Sequence, residues 1–191
     1  MDRTEALQKA RALVAQMTLE ERAGQLRYDA PAIPRLGIPA YNWWNEALHG
    51  VARAGTATSF PQAIGMAAMF DDELLERLGD VAATEARAKY NALSGEGDRD
   101  IYKGLIFWSP NINIFRDPRW GRGHETYGED PYLTSRLGKA YVHGLQGRGG
   151  TMKAAACAKH FAVHSGPEGL RHRFNAEATP KDMAETYLPA F

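Results

Sequence analysis

Residues 105–131 read LIFWSPNINIFRDPRWGRGHETYGEDP, and this stretch decides the fold class. Leu105 to Trp108 is a continuous apolar run, the pattern of a strand buried on both faces of a parallel sheet. Polar and charged residues crowd in directly after it, first Ser109-Pro110-Asn111 and then Arg116 to Arg122. Asp130 then caps and Pro131 opens a helix that ends near Gly147. Strand, polar loop and covering helix make one unit of an α/β protein.

Similar units lie on either side. Upstream, residues 4–17 read as a helix with Leu7, Ala10, Leu13, Val14 and Met17 on one face. Thr18 and Glu21 form a capping box for a second, short helix, and Pro31, Pro34 and Pro39 then interrupt helical continuity. Ala40 to Trp44 and Ile64 to Met69 are strand candidates. Asp71 or Asp72 caps a long helix to about Leu93, with Leu74, Leu75, Leu78, Val81, Ala82, Ala86 and Leu93 facing inward. Downstream, Met152 to Ala158 is a further buried strand, and Thr179, Pro180 and Asp182 start a last helix. About four strand–helix units predict an α/β fold, a partial (β/α)8 TIM-type barrel of roughly the first half, its parallel strands covered by helices. The 191 residues fall short of the roughly 250 of a complete eight-fold barrel. The last helix carries Tyr187, Leu188 and Phe191 without a glycine stop, so residues 1–191 are expected to be an incomplete portion of that domain.

Composition removes several classes. Lys plus Arg is 23 and Asp plus Glu is 23, so the formal charge is zero, and nothing favours nucleic acid or an anionic membrane surface. No apolar run reaches the roughly 20 residues of a membrane helix, and the N-terminus lacks a signal-peptide apolar core, which gives a cytoplasmic expectation. The single cysteine, Cys157, rules out an internal disulfide and reads as a buried small hydrophobe in an alanine-rich run. No G-x-S-x-G, G-x-G-x-x-G or Walker loop is present. His160 and His164 are four apart, as in a zinc helix, but the glutamate of H-E-x-x-H is absent.

The informative feature is where the polar residues sit. Trp43-Trp44-Asn45-Glu46, Trp108, Arg116 to Arg122, and Lys159-His160 all follow strand candidates, with Arg171 a short loop later. In a β/α barrel such positions form the rim where ligands bind. Aromatic faces with Glu, Arg, Lys and His suit a neutral, hydroxyl-rich ligand, since rings cover its apolar face and charged groups bond its hydroxyls. The same cations suit a phosphate equally well. Each residue also has a plain structural reading. One of the adjacent Trp43 and Trp44 is expected in the core. Trp120 can simply pin a loop, Glu125, Glu129 and Asp130 can be helix-start charges, and His49, His143 and His172 read as structural or surface residues.

The stretch FWSPNINIFRDPRWGRGHETYGEDP (Phe107–Pro131) strongly resembles family 3 of the glycoside hydrolases. So do YNWWNEALHGVA (Tyr41–Ala52), FPQAIGMAAMFD (Phe60–Asp71) and AKHFAVHSGPE (Ala158–Glu168), in the family's order and across most of the chain. The similarity points toward β-xylosidases and bacterial-type β-glucosidases. It implies a barrel domain followed by an α/β sandwich domain. It also implies that Lys159, His160, Arg122 and Arg171 hydrogen-bond the terminal sugar, and that Trp108 lines the same subsite. Glu46 stands where many of the β-glucosidases carry Asp, and the longer side chain is expected to crowd a hydroxymethyl group and favour xylose. His124 replaces the Gln of the family's G-R-G-Q-E-T version. No metal or organic cofactor is implied.

The resemblance also implies what lies elsewhere. The family's nucleophile is an Asp in an S-D-aromatic motif after a later strand, and the acid/base lies further on; neither motif occurs in these residues. No catalytic residue is therefore assigned. The substrate expected for the parent enzyme is a β-linked oligosaccharide or aryl glycoside, and the isolated chain is expected to be inactive. Its open strand edges predict aggregation or pairing with the missing C-terminal part or a complementary chain. The alternatives are a non-catalytic sugar-binding or split-gene half, a barrel enzyme for phosphorylated sugars, and an incomplete gene product.

Overall fold

The computed structural model describes residues 3–191. The helices are α1 (Arg3–Gln16), α2 (Leu19–Gly24), α3 (Ala63–Ala67), α4 (Asp72–Gly95), α5 (Pro131–Gln146) and α6 (Pro180–Asp182), the last continuing as a π-helical turn over Met183–Tyr187. The strands are β1 (Asp29–Ala30), β2 (Tyr41–Asn42), β3 (Ile106–Phe107) and β4 (Ala155–Ala156). Helix and strand alternate from α4 onward, so the chain is α/β.

The sheet that matters for the site is parallel. β3 pairs with β4, Ile106 opposite Ala155 and Phe107 opposite Ala156. Parallel bridges set Asn45 against Phe107 and Asn111 against Lys159. Three extended segments thus run side by side in one direction, and the residues just past their ends share one rim. β1 and β2 form a separate antiparallel pair, Asp29 opposite Asn42 and Ala30 opposite Tyr41.

Most of the helix signals act as the residues predict. The Thr18–Glu21 and Thr179–Asp182 capping boxes form with both reciprocal bonds. Asp71 caps α4 by accepting from Leu74 N at 2.8 Å, and Asp130 caps α5 with Pro131 in its first turn. The core is the seam between α4 and α5 and the strands beneath it. Leu75, Ala82, Ala83 and Ala86 meet Leu137, Tyr141 and Leu145, with Phe107, Ile112, Tyr127 and Met66 below. Each large side chain buried there contributes about 1.5–3 kcal/mol relative to leaving it in water.

Several expectations are corrected. Ile64 to Met69 is not a strand: residues 63–67 form α3, which buries Ala63, Met66 and Ala67 at helical spacing. Val81 is 41% exposed; Leu75, Ala82 and Ala86 are buried as expected, and Gly79 and Ala83 join them in the buried stripe of α4. Small residues line this stripe because the α5 backbone comes too close for large ones. A Cβ on Gly144 would fall on the Glu76 carbonyl oxygen and 2.8 Å from Asp80 N, and one on Gly79 would lie 2.9 Å from Tyr141 O. The apolar face of α1 is not buried; Leu7 and Val14 are exposed, and only Met17 just beyond the helix is covered. Cys157 is exposed rather than buried, because the Met152–Ala158 run is reduced to the two residues of β4. Alanines present little apolar area to hold a longer pairing.

Candidate functional site

The floor of the site is built by buried asparagines. Asn45 is fully buried; its Nδ2 donates to Asn42 O (3.1 Å) and Ile106 O (3.0 Å), and its Oδ1 accepts from Gly104 N (2.7 Å). It therefore ties the end of the β2 segment to the start of β3. The next two residues are fixed by the same junction. Trp108 N donates to Asn45 O at 2.9 Å, and Ala47 N donates to Ser109 Oγ at 3.1 Å. The Tyr141 hydroxyl donates to Ala47 O, so α5 clamps the rim from behind.

Two aromatic side chains stand on this floor. Trp44 stacks on Trp108 with centroids 4.8 Å apart and planes at 24°, and Tyr28 meets Trp44 edge-on at 5.2 Å. Neither Trp43 nor Trp44 is a buried core residue, contrary to the expectation; both are half-buried. The face-to-face contact with Trp108 holds Trp44 at the rim instead. Trp120 does pin its loop: it is 3% exposed and packs against Phe115 and His164.

The charged side chains converge from three segments. Asn111 to Asn113 run alongside Lys159 and His160, with Ile112 N donating to Lys159 O (2.8 Å) and Lys159 N to Pro110 O (3.0 Å). The Ser109–Pro110, Lys159–His160 and Phe161–Ala162 peptides are cis. Lys159 is 8% exposed, and among the described residues its nearest carboxylate oxygen is Glu46 Oε2 at 3.9 Å. Arg122 swings back from the loop after β3. Its Nε and Nη2 donate to Glu125 at 2.9 and 2.6 Å, and its Nη1 lies 3.2 Å from His160 Nε2. Glu46, Lys159, His160 and Arg122 thus form one cluster, and Trp108 stands on the neighbouring strand end. Arg171 sits at the margin, paired with Glu168 at 3.2 Å and close enough to influence His164.

Sequence reasoning missed three members of this cluster. Glu125, read as a helix-start charge, is the bidentate partner of Arg122; its spacing three residues after the arginine was the available signal. Asn45 was placed at a strand end but given no role, and Asn113 was not singled out. The alternation Asn111-Ile112-Asn113-Ile114 just past a strand could have shown that these asparagines face inward, since all four are buried.

The electrostatics follow from burial and crowding. Burial lowers the Lys159 pKa and Arg122 adds to this, while Glu46 and Glu125 oppose it. Burial tends to raise Glu125, but the hydrogen bonds and charge of Arg122 outweigh it and leave the carboxyl below its usual range. His160 is pushed down to about 3 by burial first, then by Arg122, Lys159 and His164. A neutral imidazole beside two cations is the result.

A pH dependence of stability follows. In the unfolded chain His160 titrates near 6.5, so between 6.5 and about 3 the unfolded state holds a proton that the folded state lacks. Its contribution is complete above pH 6.5 and is lost as pH falls toward 3. Glu125 acts in the same direction, losing its contribution as pH drops from its ordinary 4.5 through its lower folded value. The melting temperature is expected to fall on acidification from about pH 7 to about pH 4, with a shallower slope in His160→Gln. Parallel slopes for the two proteins would contradict this assignment.

The fold and this rim define an α/β chain whose strand ends present stacked tryptophans beside paired cations and carboxylates. Residues 6–191 match the glycosyl hydrolase family 3 N terminal domain, and the chain belongs to that family. It is 52% identical over 193 residues to a xylan 1,4-β-xylosidase of Xylanibacter ruminicola, covering 97% of this chain and 22% of that protein. It is 48% identical over 204 residues to the probable β-D-xylosidase 7 of Arabidopsis thaliana, covering 96% of this chain and 26% of the other. Among solved structures, a family 3 exo-β-xylosidase in complex with a xylobiose aziridine activity-based probe superposes with a TM-score of 0.83 at 37% identity, over 96% of this chain and 24% of that one. The β-glucosidase DesR of Streptomyces venezuelae, in complex with D-glucose, gives 0.76 at 30% identity, over 94% of this chain and 22% of that one. The chain thus spans about a quarter of the length of the relatives it matches.

Proposed function

We propose that the complete protein carrying this chain is a retaining glycosidase that releases terminal, non-reducing β-D-xylosyl or β-D-glucosyl residues from oligosaccharides. The observation that carries this reading is the convergence of Glu46, Lys159, His160 and Arg122 at one rim beside the Trp44–Trp108 stack. Stacked rings offer a flat apolar wall to a pyranose, and the cations supply charge-assisted donors to its hydroxyls. In this reading Glu46, Trp108, Arg122, Lys159 and Arg171 meet the sugar directly, and His160 belongs to the site through its contact with Arg122. Their hydrogen bonds strengthen as the ring flattens toward an oxocarbenium-like transition state.

Residues 1–191 are, on this proposal, the first part of a (β/α)8-type barrel. The parallel order of the Asn45, β3 and β4 segments supports it, as does the second edge of β4, which pairs with no strand among the described residues. A further strand from the same enzyme or from a complementary chain would continue the run. Retention requires two carboxylates about 5–5.5 Å apart, one attacking the sugar and one cycling between acid and base. Glu125 fills neither role, being held ionised and occupied at both oxygens by Arg122. The family's S-D-aromatic nucleophile motif does not occur in these residues, so on the resemblance the nucleophile and the acid/base lie outside them. The test is hydrolysis of 4-nitrophenyl β-D-xyloside and β-D-glucoside. The complete protein is expected to release 4-nitrophenol and the 191-residue chain to stay at the blank rate; activity of the short chain well above blank would refute this division of labour.

Xylose preference is assigned to Glu46. Its carboxylate reaches to within 3.9 Å of Lys159 Nζ, one methylene deeper than aspartate would. A hydroxymethyl group on the sugar then competes with it for space. Glu46→Asp in the complete protein is expected to shift the xyloside-to-glucoside ratio of kcat/KM toward glucoside by about tenfold, the scale of one methylene in a fitted pocket. An unchanged ratio would sink the assignment.

A further inference from the structure

Asn113 is 1% exposed and spends its whole side-chain amide on the His160 segment. Its Nδ2 donates to His160 O and Ala162 O, both at 2.8 Å. Its Oδ1 accepts from His160 N at 2.7 Å and faces His160 Nδ1 at 2.9 Å. The amide cannot be turned over, because that would aim its NH2 group at a backbone N–H and set its oxygen against two carbonyls. The ring nitrogen facing Oδ1 must therefore carry the proton. In a neutral imidazole the other nitrogen, Nε2, is then an acceptor, and Arg122 Nη1 stands 3.2 Å from it as the donor.

We propose that Asn113 is a positioning residue: it locks His160 in the neutral Nδ1–H form and, through the Nε2 lone pair, aims the guanidinium of Arg122 at the ligand. The groups facing the ring agree with this. Arg122 and Glu125 approach from the loop after β3, and Lys159 and His164 from the ring's own segment. Three of them are nitrogen groups that disfavour a second ring proton, and burial disfavours it further. Arg122 is gripped on both sides, with Nε and Nη2 on Glu125 and Nη1 on His160. Three of the five guanidinium N–H groups are spent in this way, which leaves two for a ligand. The His160 ring itself offers a ligand no N–H donor; Arg122 and Lys159 supply them. This last consequence rests on the sugar-site reading, whereas the tautomer does not.

The test is long-range 1H–15N correlation of 15N-histidine-labelled protein, with the His160 signal identified by its loss in His160→Gln. The wild-type ring is expected to show a protonated Nδ1 and a bare Nε2 from about pH 8 down to about pH 5. Asn113→Ala is expected to move the ring toward the Nε2–H form and to raise its titration. A wild-type ring protonated at Nε2, or an unchanged tautomer in Asn113→Ala, overturns the proposal; if that variant does not fold, the wild-type spectrum alone decides. In the complete protein, Asn113→Ala should lower kcat/KM on the xyloside by about tenfold, the scale of a misdirected hydrogen bond to a charged group. The loss should vary with pH between about 5 and 7, as the freed imidazole titrates. A loss uniform in pH would mark a purely structural role and overturns the positioning role. Wild-type protein that turns over no glycoside would overturn the sugar reading, while the spectrum still decides the tautomer.

Discussion

Gly144→Ala is expected to destabilise the fold by about 3 kcal/mol or more, even though alanine is the better helix former. The propensity gain is only about 1 kcal/mol. Against it stands a methyl group placed on the Glu76 carbonyl oxygen, 2.8 Å from Asp80 N and 2.9 Å from Gly79 Cα. These are backbone atoms of α4 and cannot rotate away, so the two helices must separate. Separation strips contacts from Leu75, Ala82, Tyr141 and Leu145, which are all essentially buried, and lifts the Tyr141 hydroxyl from Ala47 O. The clash therefore wins over the propensity. Urea unfolding should show the midpoint collapse in Gly144→Ala and stay within about 0.5 kcal/mol of wild type in Lys139→Ala on the exposed face of α5. A loss below about 1 kcal/mol for Gly144→Ala would mean that the helices are not packed backbone to backbone.

The second large effect is on the site. Arg122→Met in the complete protein is expected to lower kcat/KM on a β-xyloside by at least about a hundredfold, since charge-assisted hydrogen bonds contribute about 1.5–3 kcal/mol each. On the proposed reading the substitution removes donors to the sugar, and it removes more than these. It strands the half-buried carboxylate of Glu125 and leaves the His160 Nε2 lone pair without its partner. Stability should drop by about 2 kcal/mol, less than for a fully buried pair because both side chains keep some contact with water. Arg122→Lys separates the two consequences. A lysine restores positive charge near Glu125 but cannot reach Glu125 and His160 together with a planar fork. Stability should recover in Arg122→Lys while turnover stays low. Wild-type turnover in either variant would remove Arg122 from the sugar site.

How much of this was legible in the residues depends on the kind of interaction. Caps and helices were, because Thr18 with Glu21, Asp71, and Asp130 with Pro131 act within a single turn. The rim positions of Glu46, Trp108, Lys159 and His160 were legible too, because strand ends in an α/β fold face one side. Most of what escaped was set by distant chain segments. Residues 63–67 are helical with Ala63, Met66 and Ala67 buried; alanine and methionine favour helix locally, but Gly65 and the short length left the period unreadable. Val81 lost its place in the core to glycine and alanine because α5 approaches closely, which the apolar pattern of α4 alone does not encode. The partners of Asn113 escaped for the same reason: His160 and Ala162 lie 47 and 49 positions away.

That separation has a bearing on the order of events during synthesis. A chain leaving the ribosome can dock α4 on α5 once residue 146 has emerged, since the helices are joined by one connection and meet directly. The Asn113 side chain has no such early partner, unlike Asn45, whose partners Gly104 and Ile106 precede α5. Asn113 waits for His160 and Ala162, and Arg122 has no imidazole to rest on until the same segment arrives. The helical scaffold can therefore form first, and on the proposed reading sugar binding waits until the segment that carries Lys159 and His160 joins Asn113 and Arg122.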